Sequence, residues 1–234
     1  MQRRRAAVQV VRLGRISYSQ ALREQQRYVQ RHRDRDPGDL DRDPAPHVLL
    51  VCEHPPVYTV GLRQAPYPAE EERRLGLLGA DFFRTNRGGM ITFHGPGQLV
   101  CYPVLDLRSF GRSVRRYVGR LESSVIGLCA ELGVAATTSP HTGVWVRDHK
   151  VCAIGIHCGR YITSHGLALN VSTDLSWFKH IVPCGIVGKG VTSLSEELGR
   201  AVAVEEVLPL LLDSFSEHFG CDVTTTTTQP LPPG

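Results

Sequence analysis

The chain has 234 residues and a mass of 25.9 kDa, enough for one domain or at most two small ones. Hydrophobic residues make up 41% and charged residues 21%, which allows a sizeable core and excludes wholesale disorder. The net charge of +4 is too small to argue for nucleic acid but suits an acidic protein partner, and without a run of about 18 apolar residues no transmembrane helix or membrane partner is expected.

The first 23 residues carry six arginines (Arg3, Arg4, Arg5, Arg12, Arg15, Arg23) and no acid, the composition of a mitochondrial targeting segment. Val8 to Leu13 already reads as a strand and Ser19 to His32 as a helix, so address and fold overlap and a long cleavable presequence is not expected. A charged, Pro-rich loop follows over 34–46. His47 to Cys52 and Val57 to Val60 are β-branched runs around the Pro55-Pro56 break, Glu70 to Leu78 reads as a short helix and Leu99 to Leu105 as a strand.

The clearest helical spacing is that of Val114, Tyr117, Val118, Leu121, Val125, Leu128, Cys129 and Leu132, stopped by Gly133. Gly143 to Val146, Val151 to Ile156 and Leu167 to Val171 read as strands. Ser193-x-x-Glu196 reads as a capping box, and Val204 to Phe219 as an amphipathic helix with Pro209 near its first turns. Adjacent strands with a few long helices predict an α/β architecture, a mixed α+β sheet with packed helices. The chain divides into a basic tail over 1–7, a domain over 8–222 and a disordered Thr/Pro tail over 223–234.

Three segments look unlike ordinary scaffold. The first, Arg87 to Gln98, has four glycines in twelve residues, which suits close backbone approach or a glycine-rich hairpin turn. His94 and Gln98 would add side-chain hydrogen bonds to a bound oxygen. Neither GxGxxG nor GxxxxGK[ST] is present, so it is not a nucleotide loop. The second is Lys150 to His157, a lysine before an apolar strand, which on its own could equally be a solvated edge lysine.

The third segment runs from His165 to Asn170 and on to Ile181 to Ile186, where Cys184 sits between proline and glycine in a tight loop, a plausible place for a nucleophile. The chain's seven cysteines form no CxxC and no even framework, which points to reduced thiols. Six of them lie mostly in apolar runs and read as buried small hydrophobes. Cys152, His157, Cys158 and His165 are close in sequence but lack zinc-finger spacing, and no metal is expected. No Gly-x-Ser-x-Gly elbow supports a serine hydrolase.

Taken together, RGGMITFHGPGQLVCYPVLDL, TGVWV, KVCAIGIH, HGLALNV and the stretch from WFKHIVPCGI to VTSLSEEL resemble the lipoyl(octanoyl) transferases of lipoate assembly, over roughly Val8 to Phe219. The wording around Cys101 and from Ile181 to Ser195 is closest to the animal mitochondrial members. Phe93 departs from the tyrosine of many bacterial members. The resemblance implies a biotin/lipoate ligase-like catalytic domain. It implies octanoyl-acyl carrier protein as donor, and as acceptors the lipoyl domains of 2-oxoacid dehydrogenase complexes and the glycine cleavage H protein. It also implies a mitochondrial matrix location and no cofactor.

Carried over residue by residue, the acyl-thioester cysteine falls on Cys184 and the lysine that tunes it on Lys150. Acyl contacts fall on Arg87, Gly88, Gly89, Met90, Ile91, Thr92, Phe93 and His94, on Ala153, Ile154 and Gly155, and on Gly166, Leu167 and Ala168.

The chemistry is consistent with those residue types. A thioester donor is already activated, so no nucleotide is needed. A free thiol of pKa about 8.5 is only slightly ionised at neutral pH, and a nearby ammonium favours the thiolate. The acceptor lysine must lose a proton, which Lys150 could relay. Glycines at 88, 89, 155 and 166 would let an acyl chain lie against backbone, with Ile154 and Leu167 lining an apolar channel. The competing readings are an ATP-dependent lipoate or biotin ligase, a non-catalytic carrier-protein or lipid-binding module, and a structural metal protein.

Overall fold

The computed structural model describes residues 5–34, 46–64, 66–182 and 189–226. In chain order the first half holds β1 (Ala6–Arg15), α1 (Tyr18–Arg33), β2 (His47–Glu53), β3 (Val57–Val60), α2 (Ala69–Gly76), β4 (Asp81–Arg84), β5 (Thr92–His94) and β6 (Gln98–Val104). The second half holds α3 (Val114–Glu131), β7 (Val144–Val146), β8 (His149–Gly159), β9 (Ile162–Asn170), β10 (Gly190–Val191), α4 (Leu194–Leu198), α5 (Val204–Phe219) and β11 (Cys221–Thr226). Short 3-10 turns lie at Leu62–Gln64 and Leu175–His180.

The main sheet runs β10-β8-β9-β6-β2-β1-β11, with β7 against β8, and a small sheet runs β4-β3-β5. Pairing is antiparallel through β8, β9, β6 and β2, and parallel between β2, β1 and β11. This mixed sheet with packed helices is the α/β architecture expected from the sequence.

Alternation along the strands sends successive side chains into different cores. Leu99 and Cys101 of β6, and Leu167 and Leu169 of β9, join Leu121, Val125 and Leu128 of α3 and Leu211 and Phe215 of α5. Val100 and Tyr102 of β6 face the other way, with Val48, Leu50 and Cys52 of β2, against Tyr18, Ala21 and Tyr28 of α1. Tyr58, Ile91 and Phe93 of the small-sheet region pack a third cluster with Leu75 and Phe178.

Local chemistry sets the helix ends. Ser17 and Gln20 form a reciprocal capping box at α1. At α4 the Ser193 hydroxyl accepts the Glu196 N–H at 3.2 Å, but the Glu196 carboxylate turns toward Thr192 Oγ1 at 3.4 Å, so only one arm of the box expected there forms. α5 stops at Gly220 in the left-handed region. No described helix is long and apolar enough to cross a membrane.

Both ends of the domain differ from expectation. Residues 223–226, assigned to a disordered tail, belong to β11, where Val223, Thr224 and Thr225 pair in parallel with Val8, Gln9 and Val10. The reason is that β-branched residues suit a pleated edge strand, whatever their low complexity. At the other end β1 already begins at Ala6, so part of the basic tail over 1–7 is strand, and Arg12 and Arg15 lie within it.

Candidate active site

A cavity of about 250 Å³ opens on the α1 side of the main sheet. Its floor crosses three strands, because Ala153 of β8 pairs with Ala168 of β9 and Ala168 pairs with Val100 of β6. Small side chains along this row leave room above the sheet. The roof comes from the segment 87–94. Exposed Arg63, Pro140, His141 and Thr142 rim the mouth, and buried Tyr18, Val100, Tyr102 and His165 close the inner end.

The first two segments singled out in the sequence and the His165–Asn170 part of the third therefore meet. Arg87, Gly89, Met90, Thr92 and His94 line the cavity, as do Lys150, Ala153, Ile154, Gly155, Gly166, Leu167 and Ala168. Ile91 and Phe93 do not. Period-two alternation turns Thr92 and His94 to the cavity and sends Ile91 and Phe93 to the third cluster, where the Phe93 ring stacks on Trp177 at 5.1 Å. Gly88 is also absent from the lining; its N–H donates to the Ile156 carbonyl at 2.9 Å and clamps the roof onto β8.

Gly89, Gly155 and Gly166 present backbone to the cavity, and two of them are also required by close packing. A Cβ at Gly155 would lie 2.9 Å from the Gly88 carbonyl oxygen and 3.1 Å from Arg87 Cδ. At Gly166 it would lie 2.2 Å from the Cys101 carbonyl oxygen. Both positions let backbone approach backbone, which only a residue without Cβ permits.

A directed chain of hydrogen bonds supports the cavity. Arg87 Nη2 donates to Thr59 at its carbonyl oxygen (2.7 Å) and at Oγ1 (2.9 Å). Thr59 Oγ1 contacts His94 Nε2 at 3.1 Å, and His94 Nδ1 contacts Gln98 Oε1 at 2.8 Å. Gln98 Nε2 donates to Asn170 Oδ1 at 2.9 Å, and Asn170 Nδ2 to the Thr192 carbonyl at 3.0 Å. His94 and Gln98, expected to hydrogen-bond a ligand, thus satisfy each other.

Burial, with nearby His54 and Arg87, lowers the His94 pKa to about 3. Burial and Arg87 lower that of His165 to about 4, so both rings are neutral at neutral pH. Tyr18, Val100 and Tyr102 were not anticipated as lining residues. They read locally as helix start and strand, and only the sheet register and the docking of α1 reveal them.

Lys150 is buried, with Nζ donating to the Thr142 carbonyl at 3.2 Å and lying 4.7 Å from the centre of the Trp145 ring. Cys184 lies outside the described residues. The described chain resumes at Lys189, and β10 then pairs Gly190 with His149 and Val191 with Lys150. All six described cysteines are free thiols whose pKa burial raises, to about 12 for Cys129 and about 11 for Cys221. Cys158 is only half-buried, unlike the other five. No described group of three or more His, Cys, Asp or Glu side chains could hold a metal ion. Cys152 faces the α3 core while His165 contacts Asn86 on the other side of the sheet.

The family model described as the lipoyl protein ligase A/B catalytic domain matches residues 17–216. A Danio rerio protein named octanoyl-[acyl-carrier-protein]:protein N-octanoyltransferase, mitochondrial, is 64% identical over 94% of this chain and 96% of its own length. The Homo sapiens protein of the same name is 52% identical over 93% and 96%. Among solved structures, a bipartite lipoate protein ligase from Thermoplasma acidophilum superposes with a TM-score of 0.70 at 18% identity, over 96% of this chain and 88% of its own. A lipoate-protein ligase A bound with ATP gives 0.66 at 16% identity, over 95% and 90%. These two structures share the fold.

Proposed function

The chain belongs to the lipoyl protein ligase A/B catalytic-domain family, and from that premise we propose that it transfers octanoyl from octanoyl-acyl carrier protein to a lysine of a lipoyl domain, the first step of protein lipoylation. The observation that carries this reading is Lys150 buried at a cavity with a floor of Ala153 and Ala168, beside the strand β10 that follows the Cys184 segment by a few residues. Relatives named as octanoyltransferases are 52% and 64% identical, which favours transfer over ATP-dependent ligation.

In the first half-reaction the Cys184 thiolate attacks the thioester carbonyl. A new C–S bond forms at Cys184, the bond to the carrier breaks, and the departing thiolate takes a proton from the Lys150 ammonium. In the second, the neutral amine of the acceptor lysine attacks the acyl-enzyme. Its proton passes to Lys150, the amide forms, and the Cys184 thiolate leaves. Lys150 ends as it began, so stabilising the thiolate and relaying the proton are successive duties of one group. Burial of the other six thiols keeps them protonated and supports Cys184 as the acylated residue.

The acceptors are the lipoyl domains of 2-oxoacid dehydrogenase complexes and the glycine cleavage H protein. The compartment is the mitochondrial matrix, supported by the arginine-rich start and the mitochondrial relatives. Replacing Arg3, Arg4 and Arg5 should reduce import, and unchanged import would contradict their role as the address.

Incubation with octanoyl-carrier protein, read by intact mass, tests the reaction. One octanoyl group should appear on the wild type and none on Cys184→Ser. Label on another cysteine would reject the covalent assignment. A requirement for ATP would point to a ligase, and carrier-protein binding without any transfer, unchanged in Cys184→Ser and Lys150→Ala, to a non-catalytic groove.

A further inference from the structure

Resting on the transferase reading, we infer that Tyr18 is the end wall that limits the acyl chain to about eight carbons. The cavity floor consists of β8, β9 and β6 residues, and β2 contributes none to its lining. The row Ala153, Ala168, Val100 would continue to Cys52 of β2, which pairs with Val100. Cys52 is buried and closed off from the cavity. The path therefore crosses two inter-strand steps, about 10 Å. An extended alkyl chain advances about 1.25 Å per carbon, from a bond of about 1.5 Å at a near-tetrahedral angle, so an octanoyl chain spans about 9 Å. With its carbonyl over Ala153 of β8, which lines the cavity together with Lys150, its methyl end reaches β6 and meets Tyr18.

The Tyr18 ring is held as a fixed wall. It is 2% exposed and joins Val100, Cys52 and Ala168 in one buried cluster. Phe83 packs on it at 5.0 Å, His54 at 5.5 Å edge-on, and His94 lies nearly parallel at 6.2 Å. His54 is itself fixed, its two ring nitrogens 2.8 Å from the Ile16 carbonyl oxygen and the Tyr102 hydroxyl. Its Nε2 lies 3.5 Å from Cys52 Sγ, so the space beyond β6 is filled. Tyr18 is the first residue of α1 after the Ser17 cap, and the capping box sets where the ring enters. A longer chain must displace this aromatic cluster rather than a flexible side chain.

Kinetics with hexanoyl-, octanoyl-, decanoyl- and dodecanoyl-carrier protein test the wall. Wild type should peak at octanoyl. Tyr18→Ala should move the peak to decanoyl or beyond, raising the decanoyl-to-octanoyl ratio of kcat/KM by about ten-fold or more, since each accommodated methylene is worth about four-fold. Tyr18→Leu should shift it the same way by less, and serves if the alanine variant does not fold. Val100→Phe, at the far end of the row, should move the peak to hexanoyl.

Ratios unchanged in a folded Tyr18 variant, or in Val100→Phe, would overturn the wall. Calorimetric binding of the free fatty acids separates it from the transferase reading. An octanoate-centred profile that shifts with Tyr18→Ala retains the wall even if no transfer occurs. A profile blind to the substitution removes the wall even if transfer stands.

Discussion

Gln25 Oε1 in α1 accepts the main-chain N–H of His165 at 2.7 Å, at the one residue of β9 whose φ is positive, +55°. β9 stays paired with β8 through His165, but its pairing with β6 ends at Leu167, and this amide is taken instead by a side chain of α1. Gln25→Leu leaves this N–H buried and unpaired, which should cost about 1–3 kcal/mol in urea unfolding. His165→Asn should be milder than His165→Val, because asparagine tolerates the left-handed region and a β-branched residue does not. Equal losses for those two variants would show that strain at this φ is unimportant.

Stability should fall with acid in a defined window. In the folded chain the His94 and His165 pKa values are held at about 3 and about 4, against about 6.5 when unfolded. Above pH 6.5 both states are neutral and the full stability is present. As pH falls from there toward 3–4, the unfolded chain takes up protons that the folded one refuses, and stability is lost at up to about 1.4 kcal/mol per pH unit per histidine. Urea midpoints between pH 7.5 and pH 5 should show this slope. His165→Asn should remove about one proton from it, and an unaltered slope would mean that His165 is not held neutral.

Close backbone approach predicts the cost of filling Gly155. Alanine there places a methyl 2.9 Å from the Gly88 carbonyl oxygen and 3.1 Å from Arg87 Cδ, so the roof segment must lift off β8. The expected loss is about 1–3 kcal/mol in thermal melts, with weaker acyl transfer because Arg87 and Gly89 move with the roof. A melt and transfer rate equal to wild type would show that the roof yields freely.

The sequence made the long elements legible. The α3 spacing marks one buried face and the unbroken apolar run of β2 a strand buried on both, and the structure returns both elements within a few residues. The motif residues also converge, with Arg87, His94, Lys150, Ala153 and Ala168 around one cavity. What periodicity could not reach is contact between distant elements. Tyr18 looks like any helix-start aromatic until α1 is laid over β6, and Phe93 looks like a site residue until alternation in β5 turns it away. The short β4 strand, with exposed Asp81 and Arg84, carries no pattern of its own and exists because β3 pairs with it. Thr224 and Thr225 read as a low-complexity tail because the edge of β1 that they complete lies more than 200 residues away in sequence.

Lys150 should set the reactivity of Cys184. The lysine is held by the Thr142 carbonyl and the Trp145 ring, and Gly143 leaves room for its stem, since a Cβ there would lie 3.3 Å from Lys150 Cε. The strand after Cys184 pairs with Lys150 itself. An ammonium near a thiol favours the thiolate, so Lys150→Ala should raise the Cys184 pKa toward about 8.5. Iodoacetamide alkylation of Cys184, followed from acid to mildly alkaline pH, reads that pKa. The wild-type curve should rise at lower pH than that of the variant, and coincident curves would remove the electrostatic role. Preformed octanoyl-enzyme tests the relay separately. Its decay onto a lipoyl domain should slow by about 10²-fold or more in Lys150→Ala if the lysine takes the acceptor's proton. An unchanged decay would confine Lys150 to the first half-reaction.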